Sequence, residues 1–219
     1  MGAAAADVDT SWTRIEAWLS RYAPGFRAAL NPPADRDVIQ RVEREIGVEL
    51  PADLVAWWRG ADGVDHNRVT SPRHLGDLIP DFCNPLSVAE ALEYRDMNMR
   101  VAREVCPPEL RSELEAWTAR CSQDPAGTLY PNDASGAWPP TWLPIASDYG
   151  GGGLFADLRT GPLHGCLVHY DRMGHADTSA WPSIAALWAH VADVLETVTE
   201  EDFEAGNEVK IGYWAVPHP

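Results

Sequence analysis

Apolar residues recur along the first part of the chain with the period of a helix, and Pro, Gly and Asn mark the breaks between periodic stretches. Trp12, Ile15, Leu19 and Tyr22 fall at spacings of three and four. This predicts a helix over Ser11 to Arg21, capped by Asp9 or Thr10. Pro24-Gly25 and Asn31-Pro32-Pro33 then break the chain. Val38, Val42 and Ile46 make the stripe of a second helix, which Gly47 is placed to stop. Leu50-Pro51 opens a third, PADLVAWWRG, since proline is tolerated in a first helical turn, and Leu54, Trp57 and Trp58 load one of its faces. Asp62-Gly63 ends it in a turn.

The stretch from Val64 to Pro85 is mixed and polar, and reads as loop with a short strand. Ser87-Val88-Ala89-Glu90 has the spacing of a capping box, so a helix runs from there towards Ala102 until Pro107-Pro108 stops it. PELRSELEAWTARC resumes as a short helix carrying Leu110, Leu114 and Trp117. SQDPAGTLYPNDASGAWPP is turn chemistry throughout and reads as an exposed insertion. Three strands are expected at Trp142–Ser147, Leu154–Leu158 and Gly165–Tyr170. Ile184, Leu187, Trp188, Val191, Val194 and Leu195 then repeat at helical spacing, with Pro182 near the start. The tail is first acidic and ends in VKIGYWAVPHP, suited to an extra strand or a docked arm.

Composition narrows the class. A chain of 219 residues, 45% apolar and with ten tryptophans, can bury a large core as one domain with appendages. No apolar run reaches the length of about 20 residues that spans a bilayer. The start, MGAAAADVDT, lacks a basic region and meets Asp7 and Asp9 early, so it does not read as a secretory signal, and Ala6 spoils a myristoylation pattern. Cys83, Cys106, Cys121 and Cys166 are widely spaced and read as reduced packing residues, which points to the cytoplasm. The formal net charge of -16 argues against binding nucleic acid or an anionic membrane, and favours a basic partner. Lys210 is the sole lysine, and with abundant Ala and Pro this composition fits a high-GC genome.

Four consecutive glycines, Gly150 to Gly153, invite a phosphate-binding reading, and Gly151, Gly153 and Ala156 match the dinucleotide spacing by letter. The context fails: LFADL is strand-like, and Gly161-Pro162 stops it before any helix could present its N-terminus to a phosphate. The run is expected to be a hairpin turn. His164, His169 and His175 are close in sequence, but His164 and His169 are an odd number apart and would point to opposite faces of a strand. His66 and His74 read as solvated. Asp148 and Asp157 flank the hairpin and could be imagined, with His169, as a catalytic set if they converged in one pocket. Asp148 more simply suits a turn entry, where its side chain binds local backbone. No nucleophile elbow or cysteine nucleophile motif is present, and no catalytic, cofactor-binding or metal residue is assigned.

Four short motifs occur in a fixed order. A helix ends in E-x-x-x-G-x-x-L-P, carried by Glu43, Gly47, Leu50 and Pro51, and the next runs to Asp62-Gly63. Leu86-Ser87 with Glu90 follows, and then Pro144, Ile145, Ala146 and Asp148 before a glycine turn with Gly151 and, beyond it, Asp157. In this order, over roughly Val38 to Leu195, the chain resembles the SUKH superfamily, the Smi/Knr-type group named after fungal cell-wall-assembly regulators. The leading helix and acidic tail resemble extensions of actinobacterial members. The resemblance implies an α+β fold with a twisted, mainly antiparallel sheet packed by helices on one side. It divides the chain into a helical extension at 1–34, the SUKH-like domain at 35–198 with an insertion at about 95–140, and a tail at 199–219. Bacterial members are largely immunity proteins that neutralise a polymorphic toxin, often a nuclease, and fungal members are signalling scaffolds. Neither role involves catalysis, so the motif residues are expected to be structural and no cofactor is implied. The chain is expected to be a protein-binding module, an immunity protein for a basic toxin domain or, alternatively, an intracellular regulatory scaffold related to the cell-wall-synthesis regulators. Glu200, Glu201, Asp202 and Glu204 and the long insertion are the surfaces most free to bind a protein partner.

Overall fold

The computed structural model describes residues 3–69, 77–80, 83–128, 138–170 and 181–198. Helix α1 (Ala3–Tyr22) begins about two turns before the expected start, because the alanine run is itself strongly helix-forming. Asp9 and Thr10 therefore lie inside the helix and do not cap it, and Val8 joins Trp12, Ile15 and Leu19 in the core. Pro24 does more than break the chain: it opens a short helix, α2 (Pro24–Ala29), which buries Phe26 and Ala29. In α3 (Arg36–Ile46) the inward stripe is Ile39 and Val42, whereas Val38 is 39% exposed. Gly47 ends α3 at φ +80°, its N–H donating to the Glu43 carbonyl. Helix α4 (Ala52–Gly60) follows Pro51 and buries Leu54, Trp57 and Trp58.

After a 3-10 turn at His66–Arg68 and a short strand β1 (Asn84–Pro85), α5 (Val88–Val105) starts with the expected capping box. A second 3-10 turn, Pro108–Leu110, leads into α6 (Arg111–Cys121). Of the apolar residues named for this stretch, Leu110 falls in the 3-10 turn and is exposed, Leu114 and Trp117 are half-buried, and within α6 only Cys121 is enclosed. Conversely, Ala126 and Trp138 of the presumed exposed insertion are buried.

Strand β2 (Trp142–Ser147) has the expected bounds, β3 (Gly153–Asp157) lies one residue earlier than expected, and β4 (Leu167–Tyr170) starts two residues later than expected. With β1 they form an antiparallel sheet in the order β1-β2-β3-β4. Pro144, which has no N–H to offer, sits beside a register shift in β2. Leu143, Ile145, Leu154, Ala156 and Leu167 join the main core with residues of α1, α3, α4 and α7 (Ile184–Thr197). Trp142, Phe155 and Val168 join a smaller aromatic cluster with Trp138, flanked by Tyr94 and Tyr170. This is the α+β arrangement expected from the resemblance. Helix α1 packs on α4 and α7, and its Trp12 meets Trp188 edge-on at 5.0 Å, while Trp188 also lies 5.0 Å from Trp57. Arg14 of α1 reaches Asp193 and Glu196 of α7. All four cysteines are buried, in keeping with a packing role.

Candidate functional site

The motif residues come first: they are expected to be structural, and of their carboxylates only Asp148 and Asp157 are candidates for chemistry. Glu43 accepts a hydrogen bond from the Leu50 N–H at 3.1 Å, tying the end of α3 to the entry of α4. Asp62 accepts from the Val88 N–H at 2.7 Å, at the first turn of α5. Burial raises the Asp62 carboxyl above the ordinary carboxylate range, and the nearby Glu90 charge adds to this against the opposing Val88 bond. Ser87 and Glu90 complete the joint, Glu90 accepting from the Ser87 N–H at 2.8 Å and donating its own N–H to the Ser87 hydroxyl at 3.2 Å. Gly63 sits against this joint at φ +75°, where a Cβ would lie 2.4 Å from the Ser87 nitrogen.

The glycine run is the β2–β3 turn. Asp148 accepts from the N–H groups of Gly150 at 2.7 Å and Gly152 at 2.8 Å, the local backbone role expected of it. Gly151 has φ +103°. Asp157 lies at the far end of β3, about 13 Å of strand away from Gly153. It is fully buried against Arg159, with N–O contacts of 2.6 and 2.9 Å, and it also accepts from the Gly127 N–H at 2.8 Å. Arg159 donates onward to the Thr128 carbonyl at 2.7 Å, so the pair clamps the stem of the insertion to the sheet. Cys166 lies beside this pair, and burial, with the charge of Asp157, pushes its thiol up to about 11. His169 is on β4, opposite Leu154, and His164 is held in a turn at 3.0 Å from the Arg159 carbonyl. Asp148, Asp157 and His169 are thus not gathered at one point, because Asp157 is closed off at the other end of its strand. Among the described residues no three His, Cys, Asp or Glu are grouped to hold a metal ion.

An open groove of about 580 Å³ lies between α5 and the hairpin. Its lining includes Tyr94, Met97 and Val101 of α5, Trp138, Tyr149 and Tyr170, with Glu90 and Glu93 among the acidic members. Beneath it Trp138 packs edge-on to Tyr94 at 5.2 Å, Phe155 at 4.5 Å and Tyr170 at 5.6 Å. Tyr149 stands at φ +53°, a conformation costly for a residue with a side chain, and is 55% exposed. Its hydroxyl is pushed up to about 12, chiefly by partial burial and then by the charges of Glu90, Asp65 and Asp77. The other side of α5 faces α6 across a cleft of about 880 Å³ of mixed charge, where Arg100, Arg103 and Arg111 alternate with Asp96, Glu104 and Glu115.

Sequence reasoning missed the groove and the buried Arg159. The D-Y-G-G motif gave one usable signal, a large aromatic inside a glycine turn, and Arg159 two residues after Asp157 gave another. Glu200, Glu201, Asp202 and Glu204 lie outside the described residues. No described helix is long and apolar enough to cross a membrane. No curated protein matches the chain. A family pattern does, over residues 33–197, well over half of the 219-residue chain and spanning every one of the four sequence motifs. The chain belongs to the SMI1 / KNR4 family (SUKH-1).

Proposed function

We propose that this protein is a non-catalytic binding module that neutralises a basic toxin domain as its immunity protein. The observation that carries the reading is the use made of the motif carboxylates. Glu43, Asp62, Asp148 and Asp157 each accept hydrogen bonds from backbone N–H groups of the fold itself. The motif that defines the family therefore builds a scaffold, and what the scaffold offers outward is contact surface. SUKH-1 membership and an excess of 33 acidic over 17 basic residues support a partner of opposite charge. A field of that sign accelerates encounter with a basic groove, such as that of a nuclease, and carboxylates can then occupy it.

The test is co-expression with a toxin encoded beside the gene, followed by kinetics on the purified pair. The expected result is rescue of growth and a stable complex whose association rate falls by roughly tenfold or more as salt is raised. Rescue without complex formation, or an association rate indifferent to salt, would defeat the reading.

A further inference from the structure

Building on the reading that the protein acts by binding another protein, we propose that the groove between α5 and the β2–β3 hairpin seats a cationic segment of that partner, anchored by an apolar side chain. Three apolar groups are held in water at this place: Met97 is 41% exposed, Val101 43% and Tyr149 55%. On α5 the stripe continues one helical step to Val105, 63% exposed, giving an apolar line about 12 Å long from Met97. Contact surfaces place large apolar and aromatic groups in this way, over a floor that does not rearrange. The floor here is the interlocked Trp138, Tyr94 and Tyr170 rings.

Charge decides the occupant. Among the described residues that line the groove, Glu90 and Glu93 carry charge and no lysine or arginine is present. The charges of Asp65, itself paired with Arg68 at 2.8 Å, and of Asp77 also act on the Tyr149 hydroxyl. An ammonium or guanidinium arriving over that ring gains both the ring face and the acidic neighbours. An acidic segment or an anionic lipid surface meets repulsion at the groove and from the whole molecule at net charge -16.

The experiment is an amide NMR titration of the full chain at low ionic strength with two synthetic peptides, one alternating Lys and Leu and one alternating Lys and Ser. The Lys-Leu peptide should shift the amides of Glu90, Met97, Val101 and Tyr149 and bind roughly tenfold tighter than the Lys-Ser peptide. Tyr149→Gly together with Met97→Asp should weaken it by about tenfold or more. Both changes suit the fold, since glycine is at ease at positive φ and position 97 is a half-exposed helix site. Shifts centred elsewhere, equal binding of the two peptides, or an indifferent double variant would overturn the proposal. The toxin complex separates the two readings. If the double variant binds toxin like the parent, the groove is wrong and the binding function stands; if no toxin binds while the groove takes the Lys-Leu peptide, the reverse holds.

Discussion

A side chain at position 63 has no space: its Cβ would press on the Ser87 nitrogen and the Leu86 carbonyl carbon, at 2.4 and 2.5 Å, with the backbone at φ +75°. Gly63→Ala is expected to cost about 3 kcal/mol or more, read as a lowered denaturant midpoint with an unchanged slope. The Asp157–Arg159 pair behaves differently. Arg159→Met leaves a carboxylate stranded in the interior and should cost about 3–5 kcal/mol, whereas adding Asp157→Leu should recover a large part of that. A double variant no better than the single would show that the carboxylate's bond to Gly127 matters more than its charge. His190, packed on Trp181 at 4.7 Å, is held below its ordinary value of 6.5 by burial, with Asp193 opposing weakly. The unfolded chain therefore binds this proton more readily than the folded one. Stability from this group is complete above pH 6.5 and declines as pH falls through that value, and His190→Gln should flatten this part of a melting-temperature profile. At this scale Asp148 was legible, since an aspartate two residues before a glycine run has local N–H groups to accept from. Arg159 was not, because its partners at Thr128 and Asp157 meet only after the insertion has folded back on the sheet.

Elements follow the sequence best where a chemical signal marks their ends. The box of Ser87 and Glu90 fixed the start of α5, Gly47 the end of α3, and the four glycines the β2–β3 turn, and each is found in that role. Ser87→Ala should lower stability by about 1 kcal/mol, and a smaller loss would mean that Asp62 alone satisfies the α5 terminus. Where no marker exists, tertiary packing chose. Val38 and Ile39 are equally apolar, and the facing elements took Ile39. The side chains of Leu114 and Trp117 on α6 would suit a core face, but no α6 residue belongs to the main core cluster. Asp9 and Thr10 are good caps in isolation, yet the alanines before them extend α1 past the cap. Asp53 is a further case: it accepts from the Ala185 N–H at 3.1 Å, helping Ser183 to cap α7 from 132 residues away, and no local pattern could announce it.

The molecule as a whole carries charges of one sign in excess, -16 on 219 residues, and like charges on a compact body repel. Moderate salt should therefore raise the melting temperature by a few degrees in calorimetry, and a melting point insensitive to salt would show the charges already dispersed. The order of helices and strands was legible at this scale because four motifs keep their sequence. The groove was not, since it joins α5 to a turn more than forty residues further on. The family pattern begins at residue 33, yet Trp12 of α1 packs edge-on against Trp188, and Ile15 and Leu19 share the main core with Trp57 and Trp188. Trp12→Ala should accordingly cost about 3–5 kcal/mol, as much as losing a tryptophan inside the family segment. Ancestry and folding thus have different boundaries in this chain. A recombination event that moved only residues 33–197 into a new gene would transplant the recognisable part and leave its tryptophans bare, so α1 must travel with the domain whenever evolution, or an engineer, shuffles it.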